Sequence, residues 1–253
     1  MRIAVVTGAS SGLGREFVLQ IEKRYKELDE IWVIARREER LRELENLCKS
    51  NIRVICGSLE ETKLYEQMQH LLEVHLPNIR MLVNAAGFGK VGKVEEIASE
   101  DVTLQAKMVD VNCSALTKMT CICLPYMKEG SRIINVASAA AFCPQARFSV
   151  YAATKSYVLS FSRSLAQELR KKKIYVTAVC PGPVKTEFFD VAGEASSPIK
   201  KQMMADAKSV VRQALQDAIA GKEISVYGLP MKVSMIASKL LPHKLIIQIM
   251  DKI

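Results

Sequence analysis

The sequence predicts an α/β fold in which one parallel sheet carries helices on both faces. Three observations predict it. Seven short β-rich apolar runs alternate with amphipathic helical stretches. The first run leads straight into a glycine-rich turn followed by a helical run. No internal repeat or low-complexity linker divides the 253 residues, so a single domain spanning residues 1–253 is expected. Strands that alternate with helices imply βαβ units, right-handed at each crossover.

The strand candidates, in order, are Ile3–Thr7, Ile31–Ala35, Arg53–Cys56, Met81–Asn84, Arg132–Ala137, Tyr175–Cys180 and Ile224–Tyr227. Helical patterns lie between them, such as Glu39–Lys49 with Leu41, Leu44 and Cys48 on one face. Two segments break the rhythm. Residues 185–208 form a long mixed stretch with Gly193 and Pro198 as pivots, read as a lid. It carries Phe188, Phe189, Ile199, Met203 and Met204. The tail 229–253 is apolar, spotted with lysines and broken by Pro242. It reads as two short helices that cover the sheet or make a subunit contact. A membrane-surface helix is the alternative.

Composition excludes several classes. About half the residues are apolar and a quarter charged, as in ordinary globular chains. No run of 18 apolar residues predicts a spanning helix. The opening residues read as a strand and not as a signal peptide, and seven cysteines give no paired framework. A reduced, cytoplasmic protein is expected. His70, His75 and His243 show no metal spacing, so no metal site is expected. Lys and Arg outnumber Asp and Glu by 36 to 27, a net charge of +9. The Arg170–Lys173 run complements a helix C-terminus, and no nucleic-acid motif accompanies it.

Ligands of an open parallel sheet sit beyond the carboxyl ends of its strands. After the first strand stands Thr7-Gly8-Ala9-Ser10-Ser11-Gly12-Leu13-Gly14. Glycines let a diphosphate approach the backbone, and the following helix offers free N–H groups to the anion. The strand–turn–helix context points to a dinucleotide. An NAD site usually has an acid at the end of the second strand. This chain has Arg36 and Arg37 there instead, which with Ser10 suit a 2′-phosphate and so NADP(H). The alternative is a solvated arginine cluster, with Glu38 on the ribose.

Tyr151 and Lys155 stand four apart, on one face of a helix. The ammonium is expected to lower the phenol's pKa and fit it for proton transfer at a carbinol oxygen. Ser138 follows the fifth strand, where its hydroxyl can bond the same oxygen.

These motifs together resemble the short-chain dehydrogenase/reductase family over nearly the whole chain. They are Thr7–Gly14, Asn84–Gly87, Asn112, Ser138, Tyr151 with Lys155, and Pro181-Gly182-Pro183-Val184. The resemblance implies a Rossmann-type fold, a homodimer or homotetramer, and roles for individual residues. Tyr151 would be the general acid–base, tuned by Lys155, with Ser138 orienting the carbonyl. Asn112 would hold a water in a relay to Lys155. Asn84, Ala85 and Gly87 would line the adenosine and ribose side, and Val184 and Thr186, beside Pro181 and Gly182, the nicotinamide side. Cys56-Gly57-Ser58-Leu59 departs from the family's usual acid, so Ser58 and Leu59 would meet the adenine. The tail is similar to the branch with hydroxysteroid dehydrogenases and fatty-acyl ketone reductases.

An NADP(H)-dependent alcohol/ketone oxidoreductase is therefore expected, with a non-catalytic dinucleotide-binding regulator as its rival. Phe88, Ala140, Phe148, Pro183 and Phe189 would make a bulky apolar pocket. That suits a steroid or bile acid first and a fatty-acyl ketone second.

Overall fold

The computed structural model describes residues 1–193 and 204–250. The strands are β1 (Arg2–Thr7), β2 (Glu30–Ala35), β3 (Asn51–Cys56), β4 (Asn78–Asn84), β5 (Met127–Val136), β6 (Tyr175–Val179) and β7 (Ile224–Ser225). All pair in parallel in the order β3-β2-β1-β4-β5-β6-β7. The order reverses between β1 and β4, which opens a crevice beyond their carboxyl ends.

The seven strands fall where the apolar runs placed them, with ends shifted by a few residues. β5 starts five residues early and β7 keeps only two of its four. The inner residues of β1 and β2 and of the carboxyl halves of β4 and β5 are buried on both faces, which is why these stretches read as apolar runs and not as alternations, whereas the edge strand β3 keeps Arg53 and Val54 half-buried. On one face Ala4, Val6, Ile31 and Val33 pack against Phe17, Val18 and Ile21 of α1 (Gly12–Arg24) and Leu41 and Leu44 of α2 (Glu38–Leu47). On the other, Ile3, Val5, Trp32 and Ile34 pack against Leu64, Met68 and Leu72 of α3 (Thr62–His75).

Next along the chain are α4 (Val94–Glu100), α5 (Leu104–Val109), a π-helical turn at Asp110–Ala115 and α6 (Leu116–Cys123). The long α7 (Ser149–Leu169) packs beside β5 and β6. The predicted lid divides into three. Its start holds the short α8 (Phe188–Ala192), and α9 (Ala207–Ile219) takes over its end, where Asp206 caps the Ser209 N–H at 3.0 Å. Residues 194–203, with Pro198, Ile199 and Met203, lie outside the described residues. Val184 and Ala205 form a parallel bridge that ties the two described ends together. The tail is two helices, α10 (Leu229–Leu240) and α11 (His243–Met250), separated by Pro242. No described helix is long and apolar enough to cross a membrane.

Candidate active site

A cavity of about 1040 Å³ runs along the carboxyl edge of the sheet. One end is the glycine loop. Gly8 has φ +68°, and a Cβ there would lie 2.7 Å from the Ala86 nitrogen. A Cβ on Gly14 would lie 2.2 Å from the Gly8 carbonyl oxygen, so neither position admits a side chain. The turn delivers the chain into α1, whose first turn holds no acid. Ser10, Ser11, Gly12 and Leu13 line the cavity there. A cradle of bare backbone before an acid-free helix start fits a diphosphate.

Arg36 and Arg37 stand beside it, with Ser58 and Leu59 across the gap. Arg37 donates to the Ser10 hydroxyl at 3.2 Å and to Glu187 Oε2 at 2.8 Å. That ion pair holds the Glu187 carboxyl below its ordinary range. It also joins the end of β2 to the start of the lid. Sequence reasoning missed Glu187, because a carboxylate 150 positions away gives no local signal. The guanidinium of Arg36 is exposed and makes no hydrogen bond among the described residues. This end therefore fits an adenosine 2′-phosphate between two cations and a hydroxyl.

The other end holds the titratable set. Tyr151 and Lys155 share one face of α7 as their spacing predicted, and both are buried. The Tyr151 ring stacks on Phe148 at 4.2 Å between centroids and meets Phe188 at 5.4 Å. Burial between these rings pushes the phenol up to about 12, with Ser138 pulling against it. This corrects the expectation of a lowered phenol. Lys155 Nζ is turned to the Val136 carbonyl at 2.9 Å and lies 5.6 Å from the phenol ring centroid. Burial pushes the ammonium itself down to about 8. The phenol thus carries its proton at neutral pH. Ser138 follows β5, and its oxygen accepts from the Ala140 N–H at 3.1 Å, leaving its own proton to donate.

One predicted residue is placed differently. The Asn84 side chain does not line the cavity. It is buried between α6 and β5, where it donates to Thr120 at 3.1 Å and to Asn135 at 2.9 Å. Asparagine alternates away from the ligand edge at the strand's last residue, and the cavity takes Ala85 and Gly87 instead. The Asn112 side chain is also committed. It accepts from the Phe88 N–H at 3.0 Å, and its amide donates to the Phe88 carbonyl at 2.9 Å and to Thr154 at 3.0 Å. Both amide protons are taken, while Oδ1 keeps a second lone pair that can accept from a water. Asn112 also clamps the loop that carries Gly87 and Phe88, and it sits in the π-helical turn, a distortion often found near functional sites.

Pro181, Gly182, Pro183, Val184 and Thr186 line the wall beside Tyr151, and Phe88, Ala140, Phe148 and Phe189 line the space in front of it. Met231, Ser234, Ala237, Ser238 and Leu241 of the tail complete that wall. Sequence reasoning missed them because only the folded chain brings the tail there. Among the described residues no His/Cys/Asp/Glu cluster could hold a metal.

The buried ammonium has a consequence for stability. Lys155 titrates lower folded than unfolded, so between pH 8 and about 10.5 the unfolded chain binds more protons and stability rises with pH. Below pH 8 the folded chain bears the full cost, about 3 kcal/mol for a shift of this size. Lys155→Met is therefore expected to melt higher than the parent at pH 7, with the gap closing above pH 10. Paired thermal melts read this, and a variant that melts lower at pH 7 refutes it.

The short chain dehydrogenase family model matches residues 2–196. The NADP-dependent 3-hydroxy acid dehydrogenase of Escherichia coli K12 is 35% identical over 196 residues, covering 75% of each chain. The very-long-chain 3-oxoacyl-CoA reductase of Rattus norvegicus is 30% identical over 190 residues, covering 73% of this chain and 60% of its own. A short-chain dehydrogenase of Sphingobium yanoikuyae, solved with NADPH, superposes with a TM-score of 0.79 at 23% identity, covering 95% of this chain and 94% of its own. The matched region holds the glycine loop, Ser138, Tyr151 and Lys155 together, and the chain belongs to the short-chain dehydrogenase family.

Proposed function

We propose that this protein is an NADP(H)-dependent oxidoreductase that interconverts a secondary alcohol and a ketone on a bulky apolar substrate such as a steroid or bile acid. The observation that carries the proposal is a protonated phenol at one end of a cavity whose other end is a diphosphate cradle flanked by two arginines. The backbone from Gly8 to Gly14 would hold the diphosphate, and Arg36, Arg37 and Ser10 the 2′-phosphate. Ser58 and Leu59 would meet the adenine, Ala85 and Gly87 the ribose, and Pro181, Gly182, Val184 and Thr186 the nicotinamide. A nicotinamide held there would supply or accept the hydride. Ser138 donates to the carbonyl oxygen and orients it. Tyr151 gives that oxygen its proton during reduction and takes it back during oxidation. Lys155, shifted toward neutral pH, stands behind the phenol as a nearby proton source.

Phe88, Phe148, Phe188 and Phe189 make the substrate end bulky and apolar, and they exclude water from the phenol. A second reading, a fatty-acyl ketone with an anionic head, is favoured by one observation. Lys90, Lys107 and Arg147 line the cavity. Their present partners are Glu100, Asp101 and Glu96, exposed pairs that an incoming anion can replace.

A panel of steroid, bile-acid, 3-oxoacyl and small ketones followed by NADPH absorbance tests both readings. Phe189→Ala is expected to raise KM for bulky ketones by about tenfold, the effect of a lost apolar contact, and to leave small ketones nearly unchanged. Equal effects on both would remove the bulky-substrate reading. Turnover of nothing on the panel would remove both readings.

A further inference from the structure

Helix α10 has two apolar faces with different surroundings. Met231, Ser234, Ala237 and Ser238 face the cavity, and Met231 and Met235 pack on the core around Leu116, Ala178 and Val226. The opposite stripe is Leu229, Val233, Ile236 and Leu240, spaced as one side of a helix. These four residues are 73%, 56%, 54% and 78% exposed, and Leu245 of α11 is exposed as well. A run of large aliphatic side chains on one exposed face marks an interaction surface.

Charge narrows the choice of partner. Lys232, Lys239 and Lys244 are exposed along these helices, with Lys232 and Lys239 on one flank of the stripe. From Ile224 to Met250 the sequence has no Asp or Glu. Two antiparallel copies paired face to face through this stripe would bring their lysines to one side with no carboxylate from this segment between them. An anionic bilayer meets both features at once, because the stripe enters the acyl boundary while the lysines reach the headgroups. The net charge of +9 acts in the same direction.

We propose that α10 and α11 form a docking surface for an anionic lipid bilayer. The same helix α10 that walls the substrate cavity would then lie on the membrane. The proposal goes beyond the reading of the reaction and does not depend on it, since binding is measured without turnover.

Sedimentation of the full chain with vesicles tests it, using phosphatidylglycerol and phosphatidylcholine in equal parts against phosphatidylcholine alone. The protein is expected to pellet with the mixed vesicles, more weakly with the neutral ones, and less as salt rises. Lys232→Gln and Lys239→Gln should each weaken binding about fivefold. The double variant Ile236→Ser/Leu240→Ser should abolish it while its circular dichroism spectrum and melting temperature stay near the parent's. If that variant fails to fold, the lysine variants, which change only exposed side chains, carry the test. A chain that stays in the supernatant with anionic vesicles at low salt overturns the proposal. So does sedimentation velocity in which the parent is an oligomer and Ile236→Ser/Leu240→Ser a monomer, because a second copy then occupies the stripe.

Discussion

Tyr151→Phe is expected to lower turnover by ~10²–10⁴ while NADPH binding stays nearly intact. The ring's packing explains the split. Phe148 stacks on it and Phe188 meets it at a tilt, so phenylalanine keeps the same ring contacts. What leaves is the one proton that burial keeps on the phenol at neutral pH. Stopped-flow turnover with a ketone substrate, alongside fluorescence titration of NADPH, separates the two quantities. A variant with near-parental turnover would show that Tyr151 is not the acid. A variant that loses NADPH affinity as steeply as turnover would show that the phenol instead holds the cofactor.

Replacing the arginines at the end of β2 should discriminate between cofactors. Arg36→Ala and Arg37→Ala are each expected to weaken NADPH binding about ten- to hundredfold, the loss of one charge-assisted bond, and NADH binding far less. Arg37 differs from Arg36 in already having a partner. It must leave Glu187 before it can serve a phosphate, and both side chains of that pair are nearly half exposed. Glu187→Gln is therefore expected to tighten NADPH by up to about fivefold, the range of an exposed ion pair, with little change for NADH. Titration of both cofactors into each variant is the measurement. Equal losses for the two cofactors would return the arginines to a solvated cluster.

Much of this protein could be read directly from the chain. Strands β1 and β2 and the carboxyl halves of β4 and β5 are legible because they are buried on both faces and so are written as largely apolar runs, and the helices between them carry a one-sided pattern. The glycine loop is legible because Gly8 and Gly14 have no room for a Cβ, a constraint that appears in sequence as glycine at fixed spacing. Tyr151 and Lys155 are legible because four residues on a helix always share a face.

Other features depend on contacts that no local pattern encodes. Asn84 follows an apolar strand just as a cofactor residue would, yet its amide points to Thr120 and Asn135, partners 36 and 51 residues away. Asn112 gives no local sign that its side chain bonds Phe88 and Thr154, 24 and 42 residues away. Nor could the tail show that one face of α10 closes the cavity while the other stays in solvent.

The sequence by itself determined the sheet, the phosphate turn and the identity of the reacting groups, because local backbone geometry and hydrophobic periodicity act within a few residues. Only the tertiary structure decided the protonation of those groups. A phenol beside a lysine reads as lowered until Phe148 and Phe188 bury it and Val136 draws the ammonium aside, and then desolvation outweighs the neighbouring charge.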